Sequence, residues 1–220
     1  VLTPLKELLF PVHCYGCKAL GLEICSDCRR FWNPHIYQKS IKDMTVYSSI
    51  KYSPVAKSIL LSAKESGVQR ADEMIVGALL NLIKRLPTQH LRNAVLVPVP
   101  GSKRAIRKRG RNFIKEITKL LSNQTGIPIF DQIEINRRLL DQSRLSALDR
   151  SRNIFSAFEL VNPIPDQLFN QLLTSEIFLV DDLVTTGSTL LEAKRALNAR
   201  GIKVNRAITA CMAETLNIGA

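Results

Sequence analysis

The sequence predicts an α/β protein, a parallel sheet flanked by helices, preceded by a small cysteine-rich module. Three observations predict it. From residue 93 onward, short apolar runs alternate with amphipathic segments, the pattern of strands joined by helical crossovers. Residues 41–92 hold one strand-like run and two helix-like ones, and four cysteines crowd into positions 14–28. A chain of 220 residues, 45% of them hydrophobic, can bury one sizeable core and carry a small accessory unit. The expected organisation is therefore a four-cysteine zinc-binding module over 1–40 and a main domain over 41–220, in which 41–92 packs on a 93–220 core. No run approaches the roughly 18 apolar residues of a membrane span. Residues 1–12 lack the basic lead and apolar stretch of a signal peptide, so a soluble, cytoplasmic protein is expected.

The cysteines fall as Cys14-x-x-Cys17, seven residues, then Cys25-x-x-Cys28. Each Cys-x-x-Cys turn folds back so that both thiolates reach one ion about 2.3 Å away. Two such turns fill a tetrahedral zinc sphere and leave no position for a substrate, which marks a structural site. Gly16 and Gly21 suit the tight turns of such knuckles. So short a span has too little apolar surface to fold unaided, and metal binding would supply the missing free energy. Two disulfides are the rival reading, but nothing else suggests secretion. A redox centre would place one pair in a βαβ unit, not two pairs in a ribbon. His13, beside Cys14, is read as a bystander, and Cys211 as a buried small hydrophobe.

Residues 45–52 are β-branched and aromatic enough for a strand. Pro54 suits the first turn of a helix running to about 65. A second helix is expected over 71–86, where Ile75, Leu79, Leu82, Ile83 and Leu86 recur at helical spacing. Both helices read as packing elements rather than sites. Then follow a strand at 94–98, a helix at 112–122, a strand at 127–130 and a strand at 177–180. A helix over 188–199 stops at Gly201, and 204–213 closes the series. On such sheets ligands sit at the carboxyl ends of the strands.

The end of the 177–180 strand carries the strongest signal. Asp181 and Asp182 come first, then Leu183 and Val184, then Thr185-Thr186-Gly187-Ser188-Thr189 at a helix start. Four hydroxyls, the loop amides and the positive end of the helix can surround a phosphate, and Gly187 lets the chain fold tightly around it. Thr189 and Glu192 fit a capping box. Carboxylates repel phosphate, so their presence points to a ligand that also carries sugar hydroxyls or a magnesium ion. Phosphate, ribose diol and magnesium pyrophosphate together describe phosphoribosyl pyrophosphate (PRPP).

The run from Val180 to Thr189 resembles the PRPP signature of the type I phosphoribosyltransferases. That resemblance implies their parallel sheet, with Asp181 and Asp182 on the ribose hydroxyls and Thr185, Thr186, Gly187, Ser188 and Thr189 around the 5′-phosphate. It implies a catalytic role for Asp181 and Asp182, orienting the ribose through an oxocarbenium-like transition state. By order, the loop at 100–104 takes the place of the pyrophosphate loop, with Ser102, Lys103 and Arg104 as donors. Residues 137–153 take the place of the loop that closes over bound PRPP; a plain surface loop is the alternative.

Further segments narrow the resemblance to the ComF (competence protein F, ComFC/GntX-like) family. They are the double Cys-x-x-Cys, Val97-Pro98-Val99-Pro100, and the run Lys103-Arg104-x-x-Arg107-Lys108-Arg109-Gly110-x-Asn112. Arg137-Arg138, Gln142 and Arg152-Asn153-x-Phe155 also fit. Where that family usually reads Arg-Gly-Phe-Asn-Gln, this chain has Arg109-Gly110-Arg111-Asn112-Phe113, losing the aromatic and the amide and gaining a charge. The resemblance implies natural transformation: handling incoming single-stranded DNA in the cytoplasm, with other DNA-uptake proteins such as a helicase as partners. The alternative is an active phosphoribosyltransferase with an unidentified nucleobase-like acceptor and no nucleic-acid role.

Charge bears on that choice. The chain carries 31 Lys and Arg against 19 Asp and Glu, a net +12. Thirteen of the basic residues and five of the acidic ones lie within 101–152. A basic field attracts phosphate, on a small ligand or along a nucleic acid. Lys103, Arg104, Arg107, Lys108, Arg109 and Arg111 are the candidate nucleic-acid contacts. Aromatics able to stack on bases are sparse there, only Phe113 before Phe130, which points to salt-sensitive backbone binding. Alternatively, these charges serve only PRPP and pyrophosphate.

Overall fold

The computed structural model describes residues 12–136, 156–161 and 163–213. Its strands are β1 (Tyr37–Ile41), β2 (Met44–Lys51), β3 (Ala94–Pro98), β4 (Ile133–Ile135), β5 (Phe158–Leu160), β6 (Glu176–Val184) and β7 (Arg206–Met212). The α-helices are α1 (Ser26–Phe31), α2 (Pro54–Lys64), α3 (Gln69–Arg85), α4 (Lys103–Arg109), α5 (Phe113–Thr125), α6 (Asp166–Thr174) and α7 (Ser188–Asn198). Five strands form one sheet in the order β1-β2-β7-β6-β3, and β4 and β5 form a separate two-stranded ribbon. β2, β7, β6 and β3 are mutually parallel; β1 is an antiparallel edge.

Both faces of the sheet are covered, which is why its central strands read as near-continuous apolar runs. Side chains alternate along β6: Phe178 and Val180 face one layer, Ile177 and Leu179 the other. The first layer holds Ile59 of α2, Ile75, Leu79 and Leu82 of α3, and Phe113, Ile117 and Leu121 of α5. The second holds Leu190, Ala193 and Leu197 of α7, Leu172 of α6 and the apolar side of the β4–β5 ribbon. α2 begins as expected: Pro54 opens it and the Ser53 side chain accepts the Ala56 amide at 3.1 Å. Trp32 and Ile24 tie the cysteine segment to the first layer.

Several elements differ from expectation. The expected strand at 127–130 makes only a single bridge, Ile129 to Leu96 of β3; Pro128 has no amide to extend the ladder. Lys103 and Arg104, expected in a loop at 100–104, instead open a helix over Lys103–Arg109, which Ser102 caps by accepting the Ala105 amide. The expected boundary at residue 40 falls inside β1, which belongs to the main sheet. The capping box at Thr189 and Glu192 does not form: the α7 N-cap is Gly187, without a side-chain bond.

Glu192 does something else. It is buried, 4% exposed, and its Oε1 accepts the Phe158 amide of β5 at 3.0 Å. Arg195 grips both its oxygens, at 2.8 and 2.9 Å, and donates to the Phe158 carbonyl. This staple fastens the ribbon to α7. Burial works to raise the Glu192 pKa, but the Arg195 bonds and the Phe158 and Ser156 amides leave it lowered. Glu192→Ala should cost roughly 2–4 kcal/mol in urea denaturation, because it strands an amide and a guanidinium. Since the carboxyl titrates below its free value of 4.5, that contribution stands in full above pH 4.5 and fades as the pH falls through the lowered pKa. The gap between wild type and variant should therefore narrow in acid.

Candidate functional site

The connection leaving β3 runs to α5 on the first layer, and that leaving β6 runs to α7 on the second. Adjacent strands whose connections part to opposite faces open a crevice at their carboxyl ends. β6 outruns β3 there: their pairing stops at Pro98 with Val180, whereas β6 stays paired with β7 as far as Val184 with Met212. Asp181 and Asp182 are the first residues of β6 beyond β3.

Asp181 is half-buried and Asp182 is 7% exposed. Asp181 Oδ1 turns back to accept the Asp182 amide at 2.9 Å. Asp182 Oδ2 takes the Lys64 ammonium, from the last residue of α2, at 2.6 Å. Burial, then repulsion from Asp182, holds the Asp181 carboxyl well above the usual range. Burial also opposes ionisation of Asp182, but Lys64 overrides it and leaves its pKa lowered. Two adjacent buried carboxylates cannot both ionise cheaply. One cation biases the pair: the Lys64 ammonium favours the charged form at Asp182 over Asp181.

The loop after β6 turns at Gly187, with φ 79°. A Cβ at Gly187 would lie 2.5 Å from Ile41 Cδ1, so both the backbone conformation and the space require glycine. The Thr186 and Ser188 hydroxyls lie 2.9 Å apart. Thr185, Thr186, Ser188 and Thr189 are half-exposed around them. The first hydrogen bond of α7 runs from the Leu191 amide to the Gly187 carbonyl, and ahead of it the Ser188 amide donates to Thr186 Oγ1 at 3.4 Å.

α4 stands after β3 on the same edge. Lys103, Arg104, Arg107 and Lys108 are exposed on it, whereas Arg109 bonds Glu65 at 2.8 Å. Arg111 is turned inward onto Asp72 and Glu116, at 2.8 and 2.7 Å, over the Phe113 ring. Of the six expected nucleic-acid contacts, Arg109 and Arg111 are engaged in close ion pairs and little exposed, while Lys103 and Lys108 make looser, exposed pairs with Glu134 at 3.6 Å and Glu65 at 3.9 Å. Ser102 spends its hydroxyl on the α4 cap. Residues 137–153, the expected closing loop, lie outside the described residues. Lys64 is a site residue that the sequence reading missed; a lysine ending an amphipathic helix carries no signal of its own. Two surface clefts lie elsewhere, one between α3 and α5 and one at the amino ends of β3 and β6.

Cys14, Cys17, Cys25 and Cys28 converge, with all four sulfurs within 4.8 Å of one another. His13 lies outside this group, bridging Leu20. Burial opposes ionisation of Cys14, but the Cys17, Cys25 and Gly16 amides bring its thiol to about 6; burial and the neighbouring sulfurs push Cys28 up. So close a set of sulfurs favours full ionisation only around a cation. At Gly16 a Cβ would lie 2.6 Å from Cys28 Sγ, so the knuckle closes only over glycine.

A model of the phosphoribosyl transferase domain matches residues 104–216, and the chain belongs to that family. The chain is 32% identical over 109 residues to Competence protein F of Haemophilus influenzae. That match covers 49% of this chain and 45% of the relative, so the chain spans less than half of that relative's length. Solved structures that resemble it include adenine phosphoribosyl transferase from Trypanosoma brucei in complex with AMP, pyrophosphate and ribose-5-phosphate, at TM-score 0.40 and 11% identity over 84% of this chain and 91% of that one. Orotate phosphoribosyltransferase from Aeropyrum pernix resembles it at TM-score 0.34 and 14% identity over 80% and 72%.

Gly187→Ala should destabilise the protein by roughly 1–3 kcal/mol, combining the left-handed strain with the clash on Ile41. Thermal denaturation reads it, and a change within about 0.5 kcal/mol would show that the loop is not packed this tightly.

Proposed function

We propose that the chain is a PRPP-binding protein of natural transformation that handles incoming single-stranded DNA in the cytoplasm. The observation that carries this reading is the juxtaposition at one sheet edge of an acidic pair, a phosphate cradle and a helix with four exposed cations. Asp181 and Asp182 take the ribose hydroxyls. Thr185, Thr186, Gly187, Ser188 and Thr189 hold the 5′-phosphate, and Ser102, Lys103 and Arg104 lie on the pyrophosphate side. Magnesium arrives with the substrate, on the pyrophosphate; the ammonium already on Asp182 makes the pair a poor cage for a bare ion. When bound, the ion neutralises the pyrophosphate's charge. Residues 181–182 then orient the sugar and the α4 cations face the phosphates. The likeness to a competence protein supports the DNA-uptake role, and a helicase is a fitting partner. Zinc at Cys14, Cys17, Cys25 and Cys28 holds the cysteine module together. Among the described residues no helix is long and apolar enough to cross a membrane.

Lys103, Arg104, Arg107 and Lys108 stand free of aromatic neighbours on α4, so they contact the DNA backbone rather than its bases. Single-stranded DNA binding, followed by fluorescence anisotropy across a salt series with PRPP and magnesium present, tests this. Replacing all four with Ala should weaken binding at low salt and flatten the log–log salt slope by about 3, near 0.7 for each lost phosphate contact. An unchanged slope would remove α4 from the interface, and no binding by the wild type at low salt would remove the DNA role. Pyrophosphate release measured in the same tubes reports whether the bound PRPP turns over.

A further inference from the structure

Lys64 stands out because it reaches the acidic pair from an element with no expected part in ligand binding. It ends α2, where the helix C-terminus favours a cation, and its stem lies beside the Phe113 ring, with Nζ 6.0 Å from the ring centre. Its side chain is only 28% exposed, so its position is set by the first apolar layer and not by solvent. The ammonium meets Asp182 Oδ2 at 2.6 Å. The next residue, Glu65, is itself held by Arg109 of α4 at 2.8 Å. The end of α2 is thus clamped on both sides of the crevice.

We propose that Lys64 is a positioning residue that sets the specificity of the site for an intact ribose diol, by holding Asp182 as an ionised and fixed hydrogen-bond acceptor beside Asp181. This rests on the reading of the 181–189 segment as a PRPP site. The phosphate cradle and the acidic pair recognise different parts of the ligand, and Lys64 touches only the second. Without the ammonium, the buried Asp182 carboxylate loses the partner that favours its charge and fixes its position. The pair then loses its ionised acceptor, and the 2′-hydroxyl loses the partner that distinguishes ribose from deoxyribose. Binding of the phosphate is untouched.

The test measures displacement of PRPP–magnesium by ribose 5-phosphate, by 2-deoxyribose 5-phosphate and by inorganic phosphate, in wild type, Lys64→Met and Lys64→Arg. The wild type should prefer ribose 5-phosphate over the deoxy sugar by about tenfold or more. In Lys64→Met that ratio should fall to about twofold or less while inorganic phosphate competes as before. Lys64→Arg keeps the cation and should keep most of the preference. A loosened loop would instead weaken all three ligands together. An unchanged ratio in Lys64→Met, with PRPP still bound, would overturn the role of Lys64 and leave the PRPP site standing. Failure of the wild type to bind PRPP would overturn both. Should Lys64→Met not fold, Asp182→Asn and Asp182→Asn/Lys64→Met replace it, because the double variant strands no charge. The ratio should then be equally low in both, and a further drop in the double variant would overturn the proposal.

Discussion

Consecutive carboxylates buried in a parallel strand would ordinarily repel each other and the core around them. Here the cost is met by one ammonium, Lys64, arriving from a helix 118 residues earlier in the chain. The arrangement requires α2 to lie across the first layer with its C-terminus at the carboxyl end of β6. Much else is registered against that helix. A Cβ on Gly16 of the cysteine knuckle would lie 3.0 Å from Val55 Cγ1, and Lys18 reaches Ser62 at 3.4 Å. Glu65 draws in Arg109, and through it the basic helix α4. The cysteine module, the acidic pair and the exposed cations are thus placed relative to one another by a single eleven-residue helix.

The site separates opposite charges within a few residues of chain. Carboxylates end the strand, while hydroxyls, amides and a helix N-terminus follow it. Gly187 makes the separation possible, because the chain turns in a left-handed conformation directly against Ile41 of the edge strand. The β1–β2 hairpin therefore supports the 185–189 loop, although it lies three strands away from β3 in the sheet. On the far side of α7, Glu192 and Arg195 secure the β4–β5 ribbon, so the helix that offers its N-terminus to an anion is fixed along its length.

What could be read from the sequence follows from how local each signal is. The 181–189 loop and the paired Cys-x-x-Cys turns are contiguous, and their chemistry is written in adjacent residues. Pro54 signalled the first helix, apolar spacing the second, expected over 71–86 and found at Gln69–Arg85, and the alternation of elements the parallel sheet. Lys64 was invisible because its partner is set by tertiary packing, and ion pairs at such separations leave no periodic trace. The α4 helix was hidden by its charge: a run of Lys and Arg has no apolar face to reveal a period. Arg109 and Arg111 counted as surface charge until Glu65, Asp72 and Glu116 were brought opposite them. Glu192 misled in the reverse sense, since a local capping pattern lost to a long-range amide at Phe158.

On the proposed reading, residues 181–189 form the PRPP site and Lys64 belongs to it. Hydrogen–deuterium exchange of the full chain, with and without PRPP and magnesium, tests this most directly. Protection on binding should concentrate in the amides of the 185–190 loop and helix start, with a second zone at the end of α2 around Lys64 and Glu65. Protection confined to other segments, or none at saturating PRPP, would contradict it.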